Sequence, residues 1–226
     1  MAKVIIFGTG TLGKLMHFYL SADSPHEVAA FTLDSKYITE SSYLGLPLVP
    51  FEEIETHYPP DQYKMLVAIG YKQLNSLRTR KFLEGRQKGY QFISYLSSRA
   101  THWNDTAIGE NCILLENLVI QPFVTIGNNV VIWGGTHLGH DVVIKDNCWL
   151  SSQIVVSGGV EIGASSFIGV NATIRDHVKV GDECIIGAGA IILRDAKDKE
   201  VYIAKSTDLY RLNSTEFEQM MEISRR

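Results

Sequence analysis

Cysteine is scarce in this 226-residue chain, which has three: Cys112, Cys148 and Cys184. An odd count in a cytosolic chain excludes a framework of paired disulfides. Positive charge is not in excess either. Against 21 Lys and Arg stand 25 Asp and Glu, a net charge of −4, which excludes the basic footprint of a nucleic-acid binder. No apolar run is long enough to span a bilayer. The run after Met1-Ala2-Lys3, Val4-Ile5-Ile6-Phe7, is too short for a signal peptide and reads as a first β-strand. A soluble cytoplasmic protein with no membrane or nucleic-acid partner is expected. Hydrophobic residues at 45% and charged residues at 20% exclude a disordered or collagen-like chain. Charge is thinnest over residues 97–196, with 5 basic and 10 acidic side chains, against 10 and 9 over residues 1–96.

What fills that charge-poor stretch is a repeat. Every sixth residue from Ile108 through Leu114, Ile120 and Ile126 to Ile192 is Ile, Leu or Val, fifteen positions of fifteen. Glycine follows the aliphatic at 109, 127, 139, 163, 169, 181 and 187, where a sharp bend with positive φ is expected. Two residues before the aliphatic lie small or β-favouring side chains, the three cysteines among them. This is the hexapeptide signature of a β-helix. Each unit is a short strand and a corner, three units close one 18-residue coil, and fifteen units make about five coils. The cysteines are 36 residues, or two coils, apart, at roughly 9.5 Å from stacking at the β spacing. That is too far for a disulfide or a shared metal ion, so they read as buried core.

The first 96 residues have another pattern. A strand at residues 3–7 runs into Gly8-Thr9-Gly10-Thr11-Leu12-Gly13, a G-x-G-x-x-G turn opening a helix over residues 12–20. A second strand, residues 27–33, ends at Asp34, where a ribose-binding acid stands in dinucleotide folds. Further strands are expected near residues 46–49, 65–69 and 91–95, with a helix near 73–87, giving a small parallel α/β sheet. The glycine turn fits a nucleotide diphosphate, NAD(P), or a ligand-free strand–helix turn; 96 residues make only a partial dinucleotide fold. Lys72, Arg78, Arg80 and Lys81 read as a solvated helix face, with phosphate binding as the other reading.

A small α/β domain followed by a hexapeptide β-helix resembles the NeuD/PglD-type sugar acyltransferases. The resemblance rests on Gly8 to Gly13, Asp34, Ala68-Ile69-Gly70 and the His140-Asp141 pair within Leu138-Gly139-His140-Asp141. It implies a left-handed β-helix and a homotrimer with acyl-CoA between neighbouring β-helices. Gly8, Gly10, Thr11, Leu12, Gly13, Asp34 and Gly70 would hold a nucleotide-linked aminosugar. His140 would be the general base, Asp141 would orient it and increase its basicity, and Trp149, Val170 and Ala188 would contact acetyl-CoA. Coil arithmetic stacks Gly158 one coil beyond His140, where its bare backbone N–H can meet an oxyanion. His137 competes for the base role but belongs on a flat face, and His177 reads as exposed. Trp133 and Trp149 point away from the axis and are expected on an exposed face. The chain departs from the family after the last coil, where Tyr202-Ile203-Ala204-Lys205-Ser206-Thr207 has no Gly-x-Pro-Ala-type segment, and before the first, where Tyr95-Leu96-Ser97-Ser98 lacks a His-Pro.

The reading is therefore an α/β Rossmann-like nucleotide-sugar domain (1–96), an all-β hexapeptide β-helix acyltransferase domain (97–196) and a C-terminal extension with a short helix (197–226). Thr215 and Glu218 are spaced as a capping box for that helix. The expected activity is direct transfer of an acyl group from acetyl-CoA to the amine of a UDP- or dTDP-linked amino-dideoxysugar, with no metal and no covalent nucleophile. Alternatives are a sialic-acid-type O-acetyltransferase, a non-catalytic β-helix scaffold and a nicotinamide enzyme.

Overall fold

In the computed structural model, which describes residues 1–223, Val4, Ile5, Ile6 and Phe7 are all buried, because their strand lies inside a sheet covered on both sides. The N-terminal elements are β1 (Lys3–Phe7), α1 (Thr11–Ala22), β2 (Glu27–Leu33), β3 (Ser42–Tyr43), β4 (Leu46–Pro50), α2 (Ile54–His57), β5 (Tyr63–Val67) and α3 (Ser76–Gln87). The sheet order is β3-β4-β2-β1-β5, parallel except for the β3–β4 pair. Alternation along β1 sends Val4 and Ile6 to the side of Met16 and Leu20 of α1, and Ile5 and Phe7 to the side of Phe82 of α3. The strand expected over residues 91–95 does not form in this sheet. Phe92 makes a single bridge to Met65, and Tyr95–Leu96 (β6) pairs instead with Ile113–Leu114 of the β-helix.

From β6 onward backbone hydrogen bonds step from coil to coil. Ile113 N–H donates to Val130 O, Val131 N–H to Cys148 O and Trp149 N–H to Ser166 O. Two-residue strands stack into three parallel sheets, one for each side of a prism. One side, the covered face, runs from β6 through Val131–Ile132 and Trp149–Leu150 to Val201–Tyr202. The second runs from Val119–Ile120 to Ile191–Ile192, and the third from Ala107–Ile108 to Lys179–Val180. The inward columns are the expected ones: Leu114, Ile132, Leu150, Ile168 and Ile186 are fully buried. Cys112, Cys148 and Cys184 are free and lie in this core. Burial pushes the thiols up, Cys112 to about 11 and Cys148 to about 12, which disfavours the nucleophilic thiolate.

The corners differ from expectation. Positive φ occurs not at the repeat glycines but two residues later, at every sixth position from Asn111 (55°) through Asn129, Asp141 and His177 to Gly189. The repeat glycines are required by close approach instead. A Cβ on Gly109 would lie 2.7 Å from Gly127 O, and one on Gly163 only 2.4 Å from Gly181 O.

The α/β domain sits on the covered face. Ile113, Leu115, Val131 and Trp149 share a core with Val4, Met16 and Leu66. Arg78 and Lys81 are not on a solvated helix face. Arg78 is fully buried and Lys81 is 6% exposed. Arg78 Nε donates to Asn129 Oδ1 at 3.2 Å, and Nη2 donates to the carbonyls of Asn129, Asn147 and Cys148 at 3.1–3.2 Å. Asn111 donates to Asn129 (2.7 Å) and Asn129 to Asn147 (2.8 Å), so the corner asparagines form a ladder beneath the guanidinium. Burial lowers the Arg78 pKa to about 10, still well above neutrality. At the other side of the junction Asp23 accepts from Ser98 N–H, Tyr95 O–H and Ser97 O–H. These bonds, those of Ser98 foremost, hold its carboxyl at about 2.

The C-terminal helix, α4 (Ser214–Ile223), is capped two residues earlier than expected. Asn213 N–H donates to Glu216 and Glu216 N–H donates back to Asn213 Oδ1, at 2.9 and 3.0 Å. Asparagine at N-cap with Glu at N3 outcompetes Thr215. No helix among the described residues is long and apolar enough to cross a membrane.

Replacing Arg78 by Met leaves the carbonyls of Asn129 and Asn147 without their donor, while Cys148 O keeps Val131 N–H and Asn129 Oδ1 keeps Asn111. Because each uncompensated buried group costs about 1–3 kcal/mol, Arg78→Met is expected to lower unfolding free energy by about 3 kcal/mol or more. Urea denaturation measures this.

Candidate active site

Two sets of residues are built by different parts of the fold. The first lies where α1 begins. Gly8 has φ 122° and a Cβ there would sit 2.7 Å from Ala68 O, so only glycine lets β1 turn against the end of β5. Gly13 lies under the turn, where a Cβ would lie 2.0 Å from Gly8 O. It is a packing residue and does not line the cavity, contrary to the expectation of ligand contact. Gly10 is the N-cap of α1 and supplies no side-chain cap, and there is no acidic residue in the first turn. The unpaired N–H groups and positive helix end therefore face an open cavity suited to an anion.

That cavity, of about 630 Å³, lies between the α/β domain and the covered face. It is lined by Gly8, Gly10, Thr11, Leu12, Asp34 and Gly70, by Lys36, Lys72, Arg80 and Lys81, by Tyr71, and on the prism side by Trp133 and Trp149. Lys81 bridges Asp34 and Glu84 at 2.5 and 2.6 Å. Burial opposes its charge, but those hydrogen bonds prevail and raise its pKa. The two tryptophans are not exposed. Trp149 is 4% exposed, packs on Tyr71 and lies beneath the Arg78 guanidinium at 5.5 Å, while Trp133 is half-buried beside it. Sequence spacing sent both rings outward correctly but carried no sign that another domain covers that face. Trp149 therefore lines the cavity at the start of α1 and lies apart from Val170 and Ala188. Those two are exposed and stack one coil apart on the edge between the covered and second faces.

The second set lies on the edge between the second and third faces. His140 follows strand His137–Leu138, and Asp141 takes the left-handed corner with φ 58°. His140 Nδ1 is 2.8 Å from Asp141 Oδ2. A carboxylate only accepts, so Nδ1 carries the hydrogen and, in the neutral imidazole, Nε2 offers a lone pair. Gln121 fixes the same residue by accepting from His140 N–H at 2.8 Å. The ring lies across Gly158, as stacking implied: a Cβ on Gly158 would be 2.6 Å from His140 Nε2. Among the described residues nothing accepts from Gly158 N–H. The site thus pairs a basic nitrogen with an adjacent free backbone donor. His137 is half-buried on the second face, beside Val119 and Val155, and does not share that edge. Among the described residues no three His, Cys, Asp or Glu side chains are grouped to hold a metal ion.

The family model for the bacterial transferase hexapeptide (six repeats) matches residues 105–140 and 160–194. Comparison with curated proteins finds no match. Among solved structures, the chain is similar to PerB from Caulobacter crescentus in complex with CoA and GDP-perosamine. Identity is 26% over 90% of this chain and 95% of that one, with a TM-score of 0.80. It shares the fold of the acetyltransferase domain of PglB from Neisseria gonorrhoeae, at 22% identity over 93% and 100% of the two chains, TM-score 0.80. WeeI from Acinetobacter baumannii has the same fold at 19% identity over 90% and 97%, TM-score 0.67. Repeat and fold are those of the bacterial hexapeptide transferases, which the chain resembles over its β-helix. Within that group of folds the chain is similar to the sugar N-acetyltransferases, at 26% identity to the Caulobacter protein.

A methyl group on Gly158 collides with the His140 ring. Gly158→Ala is expected to displace the imidazole by roughly 1 Å, a misplacement able to cost about 100-fold in rate, with the coils unchanged. A crystal structure of the variant with the ring in its original place overturns this packing argument.

Proposed function

We propose that the protein transfers the acetyl group of acetyl-CoA directly to the amine of a nucleotide-linked amino-dideoxysugar. The observation that carries the reading is the His140 ring lying over bare Gly158, with Nε2 beside an unpaired backbone N–H. The amine attacks the thioester carbonyl carbon and His140 Nε2 accepts the amine proton. The carbonyl oxygen gathers negative charge as the tetrahedral intermediate forms, and Gly158 N–H is placed to donate to it. Asp141 holds the imidazole in the competent tautomer. With every cysteine buried in the prism core, no thiol is offered for a covalent acyl-enzyme. The Caulobacter enzyme has been crystallised with CoA and GDP-perosamine, including forms in which a histidine is changed to Asn or Ala.

The cavity at Gly8–Leu12 suits the acceptor. Helix-end N–H groups and Lys36, Lys72 and Arg80 offer charge for a diphosphate. Trp133, Trp149 and Tyr71 offer apolar faces for the deoxysugar ring. Within one chain this cavity and His140 cannot meet, because the edge between the second and third faces is opposite the covered face of a triangular prism. A homotrimer resolves this, with the cavity of one protomer facing the His140 edge of its neighbour.

Thiol release from acetyl-CoA, assayed against UDP-, dTDP- and GDP-linked aminosugars, tests the activity. His140→Ala is expected to lower turnover by about 10²–10⁴-fold; unchanged turnover removes His140 as base. Assembly across protomers is tested by co-expressing His140→Ala with Gly10→Asp, whose added carboxylate enters open space at the helix end and repels a diphosphate. Each variant alone is expected to be inactive and the mixture to recover activity. A mixture as inactive as its components rejects a shared site.

A further inference from the structure

The edge that carries His140 carries a second imidazole for which the scheme above has no use. Gly158 and Gly159 are consecutive, and each leaves room for a histidine ring from a different coil. His140, from the preceding coil, fills the space where a Gly158 Cβ would be. His177, from the following coil, fills that of Gly159, whose ideal Cβ would be 2.4 Å from His177 Nδ1. The backbone repeats the arrangement, since Gly159 N–H donates to His140 O at 2.8 Å and His177 N–H donates to Gly158 O at 3.0 Å. Two coils separate the histidines, roughly 9.5 Å at the β spacing, and both rings lean over the bare middle coil. His177 is exposed, and its ring has no hydrogen-bond partner among the described residues. The corner does not demand an imidazole there: with φ 58° it equally suits the Asn or Gly found at Asn171 and Gly189.

We infer that His177 is a catalytic hydrogen-bond donor to the sulfur of acetyl-CoA as the thiol departs, working opposite His140 across the Gly158–Gly159 notch. The inference rests on the proposed acyl transfer and divides its two charge movements between two rings. With the thioester carbonyl oxygen at Gly158 N–H, the acyl carbon lies over the notch. The amine nitrogen bonds to this carbon on the His140 side, and His140 Nε2 takes one amine proton. The C–S bond then breaks, its electron pair goes to sulfur, and the His177 N–H meets the forming thiolate. CoA leaves as the thiolate, and His140 returns its proton to solvent, so the products are amide, thiolate and one proton. Either neutral tautomer or the cation of His177 supplies an N–H, so the donor role does not require a particular charge state.

The test separates leaving-group assistance from packing. His177→Gly removes the ring and tolerates the left-handed corner. Its turnover is compared with wild type using acetyl-CoA and using S-acetyl-4-nitrothiophenol, whose thiolate needs no assistance to leave. A loss of about 100-fold with acetyl-CoA, the usual effect of removing a preorganised donor, is expected to shrink to a few-fold with the activated thioester. His140→Ala is expected to lose activity with both. An equal His177→Gly loss with the two donors, or no loss with acetyl-CoA, overturns the inference while leaving the acyl transfer intact. No thiol release by the wild-type protein overturns the acyl transfer and this donor role together.

Discussion

The backbone hydrogen bond from one coil to the next is the constraint on which everything else depends. It fixes residue i above residue i + 18, so any choice made at one position becomes a column. Inward columns of Ile, Leu, Val and cysteine form a core with no room for charge. Outward columns gather side chains from distant parts of the sequence at successive heights on one edge. His140, Gly158 and Asp176 are one such column; Asp141, Gly159 and His177 are its neighbour. Corner peptides, unlike strand peptides, are only partly used in the ladder. A free N–H such as that of Gly158 can therefore persist at an edge, whereas on a flat face it would be paired.

Arg78 turns this rod into a two-part device. A cation buried among carbonyls gains charge-assisted hydrogen bonds that offset part of its desolvation. Its four bonds reach two successive corners, Asn129 and Asn147, and so fix both the height and the face on which the α/β domain rests. That placement makes Trp133 and Trp149 the floor of the α1 cavity and puts the His140 edge on the far side. The cationic cavity and the His140 edge are thus separated within a chain by the thickness of the prism.

The period of six was legible because fifteen units repeat the same demand, and the G-x-G-x-x-G turn because close approach admits only glycine at Gly8 and Gly13. The placement of Gly158 beside the His140 ring was legible because stacking converts sequence distance into height. What failed had a common cause. Arg78, Lys81 and Trp149 read as exposed because local pattern reports the face of an element, not what covers it. The strand expected over residues 91–95 failed likewise: its residues can pair with either sheet, and Tyr95–Leu96 completes the first coil. The repeat glycines were assigned to positive φ, although Asn, Asp and His populate the left-handed corners themselves and glycine was needed for clearance.

The glycine pair shows how the two kinds of glycine can act together. Gly158 occupies a position where side chains such as those of Asn128, Asp146 and Asp182 elsewhere bond the preceding coil's edge backbone. Gly159 occupies the left-handed corner, where Asn is more common. A side chain at either would stabilise the corner, and the chain gives up both at one height. Stability alone does not favour that choice, because glycine loses the most conformational freedom on folding. The return is a strip of bare backbone bounded by His140 on one coil and His177 on the other. A flat electrophile such as a thioester needs access to backbone donors from one side and to a base from another. Local loss of corner stability in a prism held by many other coil-to-coil bonds is a physically reasonable way to provide both.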